Sequence, residues 1–234
     1  MLHRIHNKVK KAYKNVASRN NLTGRKRRSA IVHFCEKVGL VYFGAVDQHH
    51  DDHHIIRGLT ASTSHLDEHY AVGTYEDYDV SLVHRIDATE DAAGKLHSHS
   101  WVIFELKLKH SVDLPHIFMG AHEHKNSPYS KLFSTHTAMQ RVPLGTFERY
   151  DQEFTSRYSL FARALYFIQV ERYFTASITK VIAAHFWPLS VEVCDGSVYI
   201  YADNQQVTVR LLDTMLKNGA WLAKQLDEQS VTLN

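Results

Sequence analysis

Two cysteines, four prolines and ten glycines are all that this chain of 234 residues holds of the residue types that staple, break or loosen a backbone. Cys35 and Cys194 are far apart and form no CxxC pair, so neither a disulfide framework nor a cysteine-based zinc module is expected, as suits a reducing compartment. Scarce proline and modest glycine exclude long low-complexity or disordered stretches as the dominant character. No apolar run reaches the roughly eighteen residues of a membrane span; the stretch from Val181 to Val193 is interrupted by His185 and Pro188. No apolar segment with a small-residue cleavage site follows the first basic residues, so no secretory leader is expected. These absences lead to the expectation of a cytoplasmic protein, at most peripheral to a membrane. The chain also lacks GxxxxGK[ST], GxGxxG, GxSxG and HExxH, the short signatures of phosphate, dinucleotide, acyl-transfer and zinc-protease chemistry.

What is present is a hydrophobic fraction of 44%, enough for a buried core, and a net charge of +2 that hides an asymmetry. Residues 1–28 carry ten Lys and Arg and no acid, while the rest of the chain carries seventeen bases against twenty-five acids. A basic arm over 1–28 therefore precedes one α+β domain over 29–234, with a subdivision conceivable near 140–155. In the arm, Leu2, Ile5, Val9, Ala12, Tyr13 and Val16 follow helical spacing, with Arg4, Lys8, Lys11 and Lys14 on the other side. Gly24 is expected to end that pattern, and Arg25-Lys26-Arg27-Arg28 follows. Such a segment suits an anionic membrane surface, nucleic acid, or packing on the domain with its charges in water.

From residue 30 to 120 the pattern is strand-like: Ala30–Phe34, Leu40–Val46, Tyr70–Gly73, Val80–Ile86, Trp101–Lys109 and Leu114–Met119. The connection His110–Asp113 predicts a hairpin between the last two, with Pro115 at an edge or as a first strand residue. Phe154–Phe161 reads as another strand and Phe167–Ile182 as a helix ended by Pro188, with His185 packed in its apolar face. Val191–Val193, Asp195-Gly196 and Val198–Tyr201 give a second hairpin. The last helix buries Leu211, Leu212, Met215, Leu216, Leu222 and Leu226, with Gly219 in the stripe for close approach and Trp221 on the polar side. The expected fold is α+β: an antiparallel sheet of five to seven strands, a basic N-terminal helix, and two C-terminal helices around a β-hairpin.

Fourteen of the eighteen histidines fall between His49 and His136. If Lys109 faces Leu114 in the first hairpin, the ladder sets His99 opposite His124 with His97 on the same face; a shifted register pairs His99 with His122 and His97 with His124. His97, His99, His122 and His124 are then candidate ligands for Zn²⁺. Glu123 would point away and so suits a general base poorly, leaving Asp47, Asp51 or Asp52, with their loop folded over, for that role in a metal-dependent hydrolase. The simpler reading of the cluster His49 to His54 is a hydrated polar loop, and a pH-responsive cluster is a further alternative.

The stretch Asp113-Leu114-Pro115-His116-Ile117-Phe118, the segment Phe147 to Phe154, the helix after it and the hairpin from Val191 to Tyr201 resemble bacterial proteins of unknown function that are often membrane-anchored. The likeness spans about residues 75–226. It implies an α+β domain, carries no catalytic residues, and differs from that group in lacking a transmembrane anchor. Together these readings favour a non-enzymatic cytoplasmic interaction module whose cations, Arg4, Lys8, Lys11, Lys14, Arg25, Lys26, Arg27 and Arg28, meet an anionic membrane. A histidine-rich metal-binding protein or metal-dependent hydrolase is the first alternative. Nucleic-acid binding is the second, weakened by the acidic body.

Overall fold

A computed structural model describes residues 21–45, 65–90, 96–110, 114–121, 138–144 and 150–233. The first element is helix α1 (Asn21–Val38). Ile31, Phe34, Cys35 and Val38 recur at helical spacing, and the first three are buried. Gly24 lies inside this helix, and Ala30–Phe34 is helical rather than a strand. The cations Arg25 to Arg28 thus belong to an element packed on the domain.

The strands are β1 (Val41–Gly44), β2 (His65–Tyr75), β3 (Tyr78–Glu90), β4 (Leu96–Lys107), β5 (Ile117–Ala121), β6 (Met139–Arg141), β7 (Tyr158–Arg163), β8 (Ser190–Cys194) and β9 (Ser197–Asp203). They form one antiparallel sheet in the order β1-β2-β3-β4-β9-β8-β5-β7-β6. The fold class is as the sequence predicts, but the sheet has nine strands rather than five to seven. The three residues of β6 are too few to show an alternation in sequence.

The hairpin between β4 and β5 does not form. Trp101 to Leu106 are already paired on both sides, with β3 and with β9, and β8 comes next before β5. The β8–β9 hairpin inserts there because its turn is well made: Asp195 and Gly196 both take positive φ, 49° and 73°, which suits a two-residue turn matching the strand twist. Beyond Lys107 the chain is pulled off the sheet. Asp227 accepts hydrogen bonds from the backbone N–H of His110 at 2.8 Å and of Lys109 at 3.3 Å, and from the Tyr78 hydroxyl at 2.9 Å. Pro115 precedes β5 without entering it, so β5 sits between β8 and β7 with no ladder donor missing.

Four further helices follow: α2 (Gln152–Arg157), α3 (Phe167–Tyr173), α4 (Ala176–His185) and α5 (Val209–Leu233). Phe154 therefore opens a short helix, and the strand expected there begins only at Tyr158. The single helix expected over Phe167–Ile182 is two, interrupted where the Thr175 hydroxyl caps α4. Three helices rather than two thus flank the hairpin, counting α3, α4 and α5. His185 is exposed, not packed in the core. Trp221 is half-buried, edge-on to Phe186 with ring centroids 5.8 Å apart.

Alternation splits the sheet into two faces. Leu82, Phe104, Leu106, Ile200 and Val191 join the buried residues of all five described helices in the main core. Val83, Trp101, Ile103, Phe118, Tyr199 and Tyr201 form a smaller, aromatic cluster on the opposite face. The closest approach on the helical side is at Gly219 of α5, where an added Cβ would lie 2.5 Å from Leu106 Cδ1 and 3.2 Å from Ile200 Cγ1. Both neighbours are fully buried and have no room to withdraw. Gly219→Ala should therefore lose about 1–3 kcal/mol from overpacking, more than the roughly 1 kcal/mol of helix propensity that alanine adds. Urea denaturation checks this, and a variant as stable as the parent would show that α5 shifts freely.

Candidate functional site

The aromatic face carries a band of buried charge. Asp67 on β2 and Arg85 on β3 face each other in register and pair bidentately, Arg85 Nε to Asp67 Oδ1 at 2.7 Å and Nη2 to Oδ2 at 2.8 Å. Trp101 sits beside Arg85 on β4, and Asp203 follows on β9. His99 Nε2 lies 2.5 Å from Asp203 Oδ1, and its Nδ1 is 3.1 Å from the Asn204 amide nitrogen, which donates to it. Glu105 accepts from Ser197 at 3.0 Å and from Tyr199 at 3.2 Å. Glu192 accepts from Tyr201 and from His116 Nε2, each at 2.5 Å. These contacts satisfy carboxylates that would otherwise be costly to bury.

Burial first, and then the carboxylates beside them, push the ionisation of Tyr199 and Tyr201 well above that of ordinary tyrosine, so both phenols remain donors. The Cys194 thiol is pushed up to about 12 by burial, with the Glu192 and Asp195 carboxylates adding to the effect. It is therefore no nucleophile at neutral pH.

A second cluster lies where α1 meets the first strands. A bulge in β2 between Glu68 and Ala71 puts His69 at φ 56° and turns its ring onto Tyr42, with Nδ1 2.7 Å from the hydroxyl, and toward His84, centroid to centroid 6.0 Å. His84 on β3 is fully buried. Its Nδ1 is 3.3 Å from Arg27 Nη1 and its Nε2 3.0 Å from Ser100 Oγ. A guanidinium only donates, so Nδ1 of His84 accepts, Nε2 carries the proton, and the ring is neutral. Burial and neighbouring cations lower the proton affinity of both rings, His69 to about 4, while Glu68, whose Oε2 lies 3.8 Å from His84 Nδ1, is held by His84 and Arg27 below the usual carboxylate range.

Of the residues singled out from the sequence, Arg25, Lys26 and Arg28 are exposed and Arg27 turns inward onto His84. Arg4, Lys8, Lys11 and Lys14 lie outside the described residues, as do His49 to His54, Asp47, Asp51, Asp52, His122, Glu123 and His124. His97 pairs with Thr89 across β3, and His99 is held by Asp203 and Asn204. The ladder that would have joined His97 and His99 to His122 and His124 is absent, because β9 and β8 separate β4 from β5. His69, His84, His116, Glu192 and Cys194 were not singled out. Glu192 and Cys194 could have been, as polar residues two apart in the apolar strand Val191-Glu192-Val193-Cys194. A shallow depression of about 470 Å³ is lined by Trp187, Gln205, Thr208 and Arg210 among others, none of which belongs to either cluster.

No protein family and no curated protein matches the chain. Among solved structures it is similar to the mycobacterial trehalose monomycolate transport factor A, TtfA, at 10% identity and a TM-score of 0.56, over 90% of this chain and 95% of that one. At that identity the likeness establishes a shared fold, an α+β architecture around a large antiparallel sheet, and nothing finer.

Proposed function

We propose that the protein is a non-enzymatic binding module that docks on an anionic membrane surface through the first turns of α1. The observation that carries this is a fixed cationic mount: Arg25, Lys26 and Arg28 are exposed on a helix whose Ile31, Phe34 and Cys35 are anchored in the core. Arg27, the fourth cation of the run, ties the same turn to the sheet through His84. No acidic residue precedes Glu36 in the sequence, and Glu68, the acid beside this turn, lies next to the inward-turned Arg27. The solved relative is itself named a transport factor. No described helix is long and apolar enough to cross a membrane, so docking would be from the surface.

Each Lys or Arg near an anionic leaflet contributes about 1 kcal/mol. Neutralising Arg25, Lys26 and Arg28 to Gln, which keeps the helix, should weaken binding to phosphatidylserine-containing vesicles about 100-fold, with wild-type binding falling as salt is raised. Co-sedimentation measures both. Equal binding to neutral phosphatidylcholine vesicles, or no change in the triple variant, would overturn the reading. A salt-dependent shift with nucleic acid but not with vesicles would move the partner to a different polyanion.

A further inference from the structure

The band opposite the helices contains one place where donors of three chemistries meet. His116 Nε2, a Glu192 carboxylate oxygen and Cys194 Sγ lie within 4.8 Å of one another. The register builds this directly. Glu192 and Cys194 are two apart on β8 and so share a face, and Phe118 pairs with Glu192, which sets His116 on that same face beside them. We propose that His116, Glu192 and Cys194 form a transition-metal site, taking Zn²⁺ with three protein ligands and leaving the fourth position to an outside ligand.

The surroundings prepare the carboxylate for this. The Glu192 side chain is fully buried, and its Oε2 is fixed by the Tyr201 hydroxyl at 2.5 Å, so Oε1 is the atom presented to His116. An outer hydrogen bond of this type orients a ligand and keeps it in place. His116 is 24% exposed and Cys194 half-buried, which leaves the cluster reachable from solvent on their side. Imidazole, thiolate and carboxylate together suit zinc and disfavour magnesium or calcium, which take oxygen donors. Around tetrahedral zinc these donors stand about 3.3–3.7 Å apart. The His116–Glu192 contact must therefore open by about 1 Å, and the sulfur, within 4.8 Å of both, settle to that spacing, a movement of side chains rather than strands. On binding, the Cys194 thiol gives its proton to solvent. The other thiol, Cys35, is buried in the helix-side core, so a sulfur signal reports on Cys194.

The experiment is a titration of the reduced, metal-free full chain with Co²⁺, followed by Zn²⁺. One equivalent of cobalt should produce sulfur-to-cobalt charge-transfer absorption and tetrahedral visible bands, both removed by one equivalent of zinc. Cys194→Ser should abolish the charge-transfer absorption, and His116→Gln should weaken cobalt binding at least about 10-fold. Folded wild-type protein without that absorption overturns the proposal, as does absorption that persists in Cys194→Ser. Should Cys194→Ser fail to fold, the more exposed His116→Gln decides, and unchanged affinity there rejects the site. Metal uptake without a sulfur band, lost in a His97→Ala and His124→Ala double variant, would place the metal on the other histidines and likewise reject this one. The membrane-docking reading stands or falls separately.

Discussion

Replacing Arg85 by Met should cost about 3–5 kcal/mol, among the largest losses any single change in this chain would produce. Asp67 and Arg85 are 2% and 1% exposed, and removing the guanidinium leaves a carboxylate with neither water nor its bidentate partner. Asp67→Leu should be comparably severe for the mirror reason. The double variant Asp67→Leu/Arg85→Met should recover much of either loss, because an apolar pair of similar volume avoids the desolvation that both charges incur. Urea denaturation of the four proteins gives the coupling energy as a double-mutant cycle. An Arg85→Met variant within about 1 kcal/mol of wild type would show that Asp67 is satisfied without the pair.

The pair lies in register with Trp101 and Asp203, so it forms one end of the polar band that continues through His99 toward Tyr201, Glu192 and His116. Charges buried this way do not add stability over an apolar face. Their effect is to fix which residues stand opposite each other, since a one-residue slip would strand every carboxylate.

Local signals in the sequence were legible and long-range ones were not. Asp195-Gly196 between two apolar runs marks a hairpin, and that hairpin is β8–β9. The stripe of Leu212, Met215, Leu216, Leu222 and Leu226, with Gly219 within it, marks α5 and its close approach to the sheet. By contrast, β4 and β5 follow each other in sequence yet pair with other strands, because a hairpin made about eighty residues later fits between them. No periodicity carries that information. A window cut to Ala30–Phe34 shows a strand-like run around Ile31, Val32 and Phe34; extended to Val38, it shows the spacing of a helix. The donors His116 and Glu192 were hidden for the same reason as β5: their meeting depends on the β5–β8 register.

Acidification should destabilise the fold between pH 6.5 and 4, well above the range in which carboxylates alone act. Folded His69 takes up its proton only near pH 4, whereas unfolded histidine does so near 6.5. Within that window the unfolded chain binds more protons, so stability is full above 6.5 and falls as the pH drops. At about 1.4 kcal/mol per pH unit the loss from His69 has an upper bound of about 3.5 kcal/mol, reduced by solvent screening because the ring is only partly buried, and buried His84 acts in the same direction. Glu68, with its proton affinity held low by His84, extends the loss below its ordinary range. Denaturant midpoints at pH 7.5, 6.5, 5.5 and 4.5 measure the slope; those four values are roughly one unit apart so that each step samples the window. His69→Asn removes one titrating ring while tolerating the positive φ, and should flatten the slope. A wild-type midpoint that stays level from pH 7.5 to 4.5 would mean that water reaches these rings and they titrate normally. The consequence for docking follows from Arg27. A protonated His84 would offer an N–H to a guanidinium that can only donate, so acid loosens the contact that ties the cationic turn of α1 to the sheet.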